Sequence, residues 1–229
     1  MRMHHDACDS AVSAGQLLIL LPGAYGTPED FVEQGFVAAA RRRGVRADIV
    51  MADAHLGYFT DRSVIGRIRE GVVLPARQDG RREIWLAGIS LGAMAALGYA
   101  ARHGADIDGV VAIAPYPGSR EVLDEIAAAG GTSHWHCAPA SRDDDLEREV
   151  WTWLVDGSNN HDTRPQVYVG YGRQDRFARG QAMMAGTLPA DRRSIVAGGH
   201  DWACWRELWE QWLDRGLLVG SSVHGGGAT

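Results

Sequence analysis

Residues 83–92 read EIWLAGISLG, and they give the clearest indication of the fold. Its first part, EIWLAG, is an apolar run that predicts a buried strand, and AMAALGYAARH at 93–103 predicts a helix. Between them lies Gly88-Ile89-Ser90-Leu91-Gly92, a G-x-S-x-G pentapeptide. A sharp turn from strand to helix at this point exposes the Ser90 hydroxyl at the carboxyl end of the strand. Glycine on either side keeps the strand and the helix from colliding.

Further apolar runs stand on both sides of this turn. Together they predict six buried strands, at 16–21, 47–52, 83–88, 109–114, 166–171 and 193–198. Helical patterns lie between them, at 28–43, 61–77, 91–103, 177–187 and 201–215. Because the strands lack a clean alternation of apolar and polar residues, we expect both faces of the sheet to be buried. The sequence predicts an α/β protein with a mostly parallel six-stranded sheet flanked by helices.

Three segments depart from this alternation. Residues 1–15 lack periodicity and are expected to form a flexible N-terminus. Residues 220–229 are rich in Gly and Ser and are expected to form a flexible tail. The polar segment at about 130–164 is expected to be a small cap, inserted into a domain that spans residues 16–219.

Composition excludes several classes of protein. The net charge is −6 and no basic block could follow a phosphate backbone, so no nucleic-acid partner is expected. All 23 basic residues are arginine, which excludes a Schiff-base lysine and a Walker A phosphate loop. The apolar run Leu17–Leu21 is too short for a signal peptide or a membrane span. With only three cysteines, the chain is expected to be a soluble cytoplasmic protein.

The strand, pentapeptide and helix at 83–103 resemble the α/β-hydrolase superfamily, and the resemblance covers about residues 16–215. A second stretch, Gly198-Gly199-His200-Asp201-Trp202, is similar to the histidine loop of esterase-D-like hydrolases. Members of the superfamily carry a nucleophile, an acid and a base in that order along the chain. The resemblance therefore implies that Ser90 is the nucleophile.

The same order implies that His200 is the base and Asp175 the acid. His200 follows the strand at 193–198, and Asp175 follows the strand at 166–171. Imidazole can take and return a proton near neutral pH, and a carboxylate can fix its tautomer. Other histidines and aspartates fit the order less well: His134, His136, His161 and His224 for the base, and Asp156, Asp162, Asp191 and Asp201 for the acid.

An oxyanion hole in this family needs two backbone N–H donors. The first is expected to be that of Leu91, directly after Ser90. The second is expected in the loop Pro22-Gly23-Ala24-Tyr25-Gly26, with Ala24 as first choice and Tyr25 as second. Pro22-Gly23 stands where many relatives carry His-Gly, so no side chain marks the donor.

Four other residues are candidates for the substrate pocket. His55 and Tyr58 follow the second predicted strand, at the sheet edge that carries Ser90; simple loop packing is the alternative. Trp135 and Trp151 lie in the predicted cap and could shape an apolar pocket; a core of the cap's own is the alternative. No metal site is expected at His134, His136 and Cys137. A metal site needs three or four ligands of fixed geometry, and these residues follow one another too closely in a predicted loop.

The sequence leads to the hypothesis of a serine hydrolase that cleaves a small-molecule carboxylic ester or thioester through an acyl-enzyme, with no cofactor. One alternative is an acyltransferase on the same three residues, with an alcohol, amine or thiol in place of water. The other is a non-catalytic binding protein, because a fold does not by itself establish an activity.

Overall fold

A computed structural model describes residues 1–8, 15–137, 145–157 and 165–218. The strands in these residues form one sheet: β1 Met3–Asp6, β2 Gln16–Leu21, β3 Asp48–Ala52, β4 Glu83–Ile89, β5 Gly109–Ile113, β6 Gln166–Gly172 and β7 Arg193–Val196. Their order is β1-β3-β2-β4-β5-β6-β7. Only β1 is antiparallel to its neighbour. The predicted α/β class with a mostly parallel sheet is therefore confirmed, although the sheet has seven strands and not six.

The additional strand lies in the segment expected to be a flexible N-terminus. That expectation is wrong for Met3–Asp6, which pairs with β3 from Met3 opposite Ala52 to Asp6 opposite Ile49. The four residues MHHD give no apolar alternation, so sequence periodicity could not reveal the strand. Backbone pairing holds it at the sheet edge, and the Arg41 guanidinium adds a hydrogen bond to the Asp6 carbonyl oxygen at 3.0 Å.

The helices lie on both faces of the sheet. They are α1 Asp30–Glu33, α2 Phe36–Arg42, α3 Leu56–Thr60, α4 Val64–Ile68, α5 Leu74–Gln78, α6 Leu91–His103, α7 Arg120–Ala128, α8 Leu146–Gly157, α9 Ala178–Gly186 and α10 Trp202–Asp214. Alternate residues of β2 point to opposite faces, so Leu18 joins one core cluster with α2 and α10, while Ile19 joins another with α4, α6 and α8. The sheet is thus buried on both sides. No helix among the described residues is long and apolar enough to cross a membrane.

Two predicted helices are interrupted. The helix expected at 28–43 becomes α1 and α2, because Gly35 between them has a left-handed backbone with φ of 77°. The helix expected at 61–77 consists of α4, a π-helical turn at Arg69–Val73, and α5. The short α3 and the amphipathic α7 were not predicted.

The segment expected to be a cap contributes α8 to the helical layer over the sheet. This helix packs against α6, and its Trp151 is fully buried in the same core cluster as β2 and β4. Helix α8 is therefore part of the main domain rather than a separate cap. Residues 138–144 and 158–164, and the predicted tail at 220–229, lie outside the described residues.

The pairing of β4 with β5 yields a stability test, since Trp85 lies opposite Gly109. A Cβ atom on Gly109 would overlap the Trp85 ring. We expect Gly109→Ala to lower the free energy of unfolding by about 1–3 kcal/mol, as overpacking does. The control is Gly66→Ala on α4, which has open space around it and should gain about 0.5–1 kcal/mol from helix propensity. Urea denaturation measures the free energy of unfolding of both variants. Equal changes in the two would contradict the close contact between Gly109 and the Trp85 ring.

Candidate active site

Ser90 sits between β4 and α6 in a backbone conformation that is rare for a residue with a side chain. Its φ is 54° and its ψ is −112°. The Ser90 N–H donates to the Ile113 carbonyl at 2.9 Å, and its own carbonyl accepts from the N–H groups of Met94 at 3.1 Å and Tyr116 at 3.0 Å. A strained backbone conformation of this kind persists only where surrounding hydrogen bonds hold it. Such conformations are concentrated at functional sites.

The two glycines of the pentapeptide make this turn possible. A Cβ atom on Gly88 would overlap the Gly92 carbonyl, and one on Gly92 would overlap the carbonyl oxygens of Leu21 and Pro22. Helix α6 therefore begins in direct contact with the end of β2. This contact brings Ser90 beside the loop that follows β2, where a Cβ on Gly23 would lie 3.5 Å from the Ser90 Cβ.

Ser90, His200 and Asp175 are brought together as the sequence predicts. His200 Nε2 lies 2.9 Å from Ser90 Oγ, and His200 Nδ1 lies 2.7 Å from Asp175 Oδ2. His200 follows β7, and Asp175 follows β6, so all three residues meet at the carboxyl edge of the sheet. The Asp175 side chain is fully buried and that of His200 is 11% exposed. This chain of contacts can pass a proton from a hydroxyl to an imidazole whose other nitrogen faces a carboxylate.

The Asp175 carboxylate has two further donors. The Phe177 backbone N–H donates to Oδ1 at 2.8 Å, and Gln181 Nε2 donates to Oδ2 at 3.2 Å. Burial raises the pKa of Asp175, but the hydrogen bonds from His200, Phe177 and Gln181 outweigh it, so the net pKa is lowered. The carboxylate is therefore held in its charged form beside the imidazole.

Gln181 is a site residue that sequence reasoning missed. It lies on α9, is fully buried, and also donates from Nε2 to the Pro115 carbonyl at 3.1 Å. It thereby ties the Asp175 carboxylate to the loop after β5. The available signal was a glutamine among the Gly, Ala and Met residues of α9, six residues after Asp175.

Two aromatic rings contact His200 edge to face. The Phe177 ring centroid is 5.3 Å from that of His200, and the Trp205 centroid is 5.1 Å from it. Phe177 also contacts Tyr116, at 5.6 Å. Burial and the neighbouring Glu147 raise the pKa of Tyr116 to about 12, so this phenol stays neutral. The His200 imidazole is therefore held between aromatic rings, while its two nitrogens are hydrogen-bonded to Ser90 and Asp175.

Two stretches of backbone beside Ser90 contain the N–H groups that the sequence predicts for an oxyanion hole. Leu91 is the first residue of α6, so its N–H has no acceptor within the helix. In the loop after β2, the Gly26 N–H donates to the Gly23 carbonyl at 3.0 Å, which places Ala24 and Tyr25 at the centre of a tight turn beside Ser90. The Tyr25 side chain is 93% exposed. The choice between the Ala24 and Tyr25 N–H groups stays a prediction.

The four residues predicted to line the substrate pocket lie in different surroundings. Trp151 is fully buried and its indole N–H donates to the Pro117 carbonyl at 2.8 Å, so it is a core residue and not a pocket wall. Trp135 is likewise buried in the core. His55 caps the start of α3, where its Nδ1 accepts from the Gly57 N–H at 3.0 Å, and its ring centroid lies 3.8 Å from that of Tyr58. His55 and Tyr58 both follow the carboxyl end of β3, and their role in the substrate pocket stays a prediction.

The thiol nearest in sequence to His200 is buried on α10. Burial raises the pKa of Cys204 to about 11, which keeps this thiol protonated and unreactive near neutral pH. Among the residues that the structure describes, no group of three or more His, Cys, Asp or Glu side chains could hold a metal ion.

The buried amide of Gln181 provides a test of how Asp175 is held. We expect Gln181→Met, which keeps the length but removes the N–H donor, to lower kcat about tenfold with little change in KM. The loss of a partner for the Pro115 carbonyl should also cost about 1–3 kcal/mol of unfolding free energy. Gln78→Met, at an exposed helix end, is the matched control. Wild-type kcat in Gln181→Met would contradict a positioning role.

The lowered pKa of Asp175 gives a second test. A carboxyl whose folded pKa lies below its ordinary value of 3.8 stabilises the fold above that value, and this stability is lost as the pH falls through the folded pKa. We therefore expect the difference in unfolding free energy between wild type and Asp175→Asn to shrink as the pH falls from about 4 to about 2, below the ordinary pKa of 3.8. Urea denaturation across this range measures it. A difference that is constant with pH would contradict the lowered pKa.

Comparison with known proteins places the chain in a family. The model of the Esterase family, described as "Putative esterase", matches residues 73–213, which is more than half of the chain. No curated protein sequence matches significantly.

Solved structures share the fold. The S-formylglutathione hydrolase of Staphylococcus aureus has a TM-score of 0.62 and 14% identity, over 89% of this chain and 81% of that one. Est1E of Butyrivibrio proteoclasticus has a TM-score of 0.60 and 16% identity, over 95% and 93%. A ferulic acid esterase has a TM-score of 0.59 and 19% identity, over 89% and 85%. At these identities the likeness shows the fold alone, and it confirms the α/β-hydrolase fold that the sequence predicts. With the family match, it follows that the chain belongs to this esterase family and is a hydrolase that acts on esters.

Proposed function

We propose that the protein is a serine hydrolase that cleaves carboxylic esters or thioesters through a covalent acyl-enzyme. The observation that carries the proposal is the continuous hydrogen-bonded chain from Ser90 Oγ through the His200 imidazole to Asp175 Oδ2. A serine hydroxyl is a weak nucleophile near neutral pH and needs a base at hydrogen-bond distance. His200 is that base.

In the first half-reaction, Ser90 Oγ attacks the carbonyl carbon of the substrate while His200 Nε2 takes the hydroxyl proton. The carbonyl oxygen becomes an oxyanion, and the imidazole becomes an imidazolium beside the Asp175 carboxylate. The oxyanion then re-forms the carbonyl as the bond to the leaving alcohol or thiol breaks. His200 returns its proton to that leaving group, and Ser90 is left acylated.

The backbone N–H of Leu91, together with that of Ala24 or Tyr25, is assigned to the oxyanion. Donors fixed in the backbone need no rearrangement when negative charge develops, which makes them effective in a partly buried site. The positive end of the α6 dipole favours the same charge. The position of Ser90 supports this role, because helix α6 begins at Leu91, directly after Ser90.

In the second half-reaction, His200 removes a proton from water, and the resulting hydroxide attacks the acyl carbon. Collapse of the second oxyanion breaks the bond to Ser90, whose oxygen recovers the proton from His200. An acyltransferase would use an alcohol, amine or thiol in place of water, and the same three residues would serve it. Acceptor competition with product mass separates the two, because transfer that outpaces hydrolysis would favour the acyltransferase.

The names of two solved structures bear on the class of ester. Of the proteins that share the fold, one is named an S-formylglutathione hydrolase and another a ferulic acid esterase, so both a thioester and an aromatic acid ester are represented. A small-molecule substrate and a cytoplasmic location stay predictions. A non-catalytic binding protein is disfavoured, since all three side chains stand within hydrogen-bond distance.

The test is the hydrolysis of p-nitrophenyl butyrate by wild type and variants. We expect Ser90→Ala and His200→Gln each to lower kcat at least about a thousandfold, because the three residues act as a unit. The matched control is Ser133→Ala: Ser133 Oγ also lies within hydrogen-bond distance of a histidine, 3.0 Å from His134 Nδ1, but it is exposed. This variant should keep wild-type kcat. Loss of less than tenfold in Ser90→Ala would overturn the proposal.

A further inference from the structure

Three arginines lie close to Asp175 in the sequence: Arg173 and Arg176 are on the loop between β6 and α9, and Arg179 is in the first turn of α9. Arg173, Arg176 and Arg179 are all exposed. Most other described arginines bind a carboxylate or a backbone oxygen, as Arg41, Arg43 and Arg148 do. Within the described residues, no carboxylate or hydrogen-bond acceptor contacts the guanidinium groups of Arg173, Arg176 and Arg179. This concentration of positive charge stands out in a chain whose net charge is −6.

Arg176 lies at the rim of the site. Its guanidinium carbon stands 4.8 Å over the Phe177 ring, and that ring is 5.3 Å from the His200 imidazole. The cation is thus connected to the proposed base through one phenyl ring. Phe177 also contacts Tyr116, whose backbone N–H binds the Ser90 carbonyl oxygen.

Three carboxylates near this loop already have hydrogen-bond partners. Glu147 accepts the Ser119 N–H at 2.7 Å and interacts with the Tyr116 hydroxyl. Asp201 caps α10 by accepting the Cys204 N–H at 3.0 Å. Asp175 is occupied by His200, Phe177 and Gln181. None of these three carboxylates contacts Arg173, Arg176 or Arg179, so the guanidinium groups remain available to an anion that enters the site.

We propose that the substrate of this hydrolase carries an anionic group, such as a carboxylate or a phosphate, that pairs with Arg176. The inference rests on the proposed function and names the substrate class of the same site. Guanidinium groups bind carboxylate and phosphate through paired hydrogen bonds. Arg173 and Arg179 add to the local positive potential, which raises the rate at which an anion reaches the site.

The experiment compares two matched pairs of chromogenic esters. In the first pair the acyl group differs: p-nitrophenyl hexanoate ends in a methyl group, and the p-nitrophenyl monoester of adipic acid ends in a carboxylate on an acyl chain with the same number of carbons. In the second pair the leaving group differs: p-nitrophenyl butyrate is compared with the butyrate ester of 5-hydroxy-2-nitrobenzoate. The pairs show whether the anion belongs to the acid or to the alcohol side of the ester.

For wild type we expect kcat/KM to favour the anionic member of at least one pair about tenfold at low salt. Added sodium chloride should reduce this ratio, because salt screens exposed charges. Arg176→Gln should lower the ratio at least about fivefold, and the triple variant with Arg173→Gln and Arg179→Gln should lower it further. Arg46→Gln is the matched control, since Arg46 is an exposed arginine before β3, at the opposite edge of the sheet.

The inference is overturned, while the proposed function stands, by a wild-type ratio near one in both pairs or by a preference that Arg176→Gln and the triple variant leave unchanged. A ratio that falls equally in Arg46→Gln would also overturn it, because the effect would then come from overall charge. Failure of wild type to hydrolyse any of the four esters would instead overturn the proposed function, and the inference with it.

Discussion

The close approach of helix α6 to the end of strand β2 is the constraint on which the site depends. Gly92 lies against the carbonyl oxygens of Leu21 and Pro22, and Gly88 lies against the Gly92 carbonyl. Any side chain at these two positions would push the helix away from the strand. With both glycines present, the chain turns within one residue, and Ser90 takes a left-handed backbone that three backbone hydrogen bonds hold in place.

The residues around Asp175 keep a buried carboxylate in its charged form. Asp175 is enclosed, which disfavours its ionised form, and hydrogen bonds from three donors reverse that cost. One donor is His200, so the same bonds that keep the carboxylate ionised also fix the imidazole toward Ser90. Aromatic contacts from Phe177 and Trp205 limit the remaining freedom of the imidazole. Packing, charge and orientation are therefore coupled in a single arrangement.

The sequence predicted those parts of the structure that local pattern determines. Apolar runs located the parallel strands, and the order of Ser90, Asp175 and His200 placed them at one sheet edge. Strand β1 was missed because edge pairing through the backbone leaves no apolar alternation in MHHD. Gln181 was missed because its role is a contact across two loops. Trp151 was misassigned because a tryptophan can fill a core or line a pocket, and only the packing of α8 on α6 decides.

The most direct measurement is the intact mass of the protein after treatment with a fluorophosphonate, which reacts with an activated serine. Wild type and Ser133→Ala should each gain the mass of one adduct, and Ser90→Ala should gain none. This result would show that Ser90 is the activated nucleophile. An adduct on Ser90→Ala, or no adduct on folded wild type, would contradict the account, because the hydrogen-bonded chain to His200 and Asp175 would then not activate Ser90.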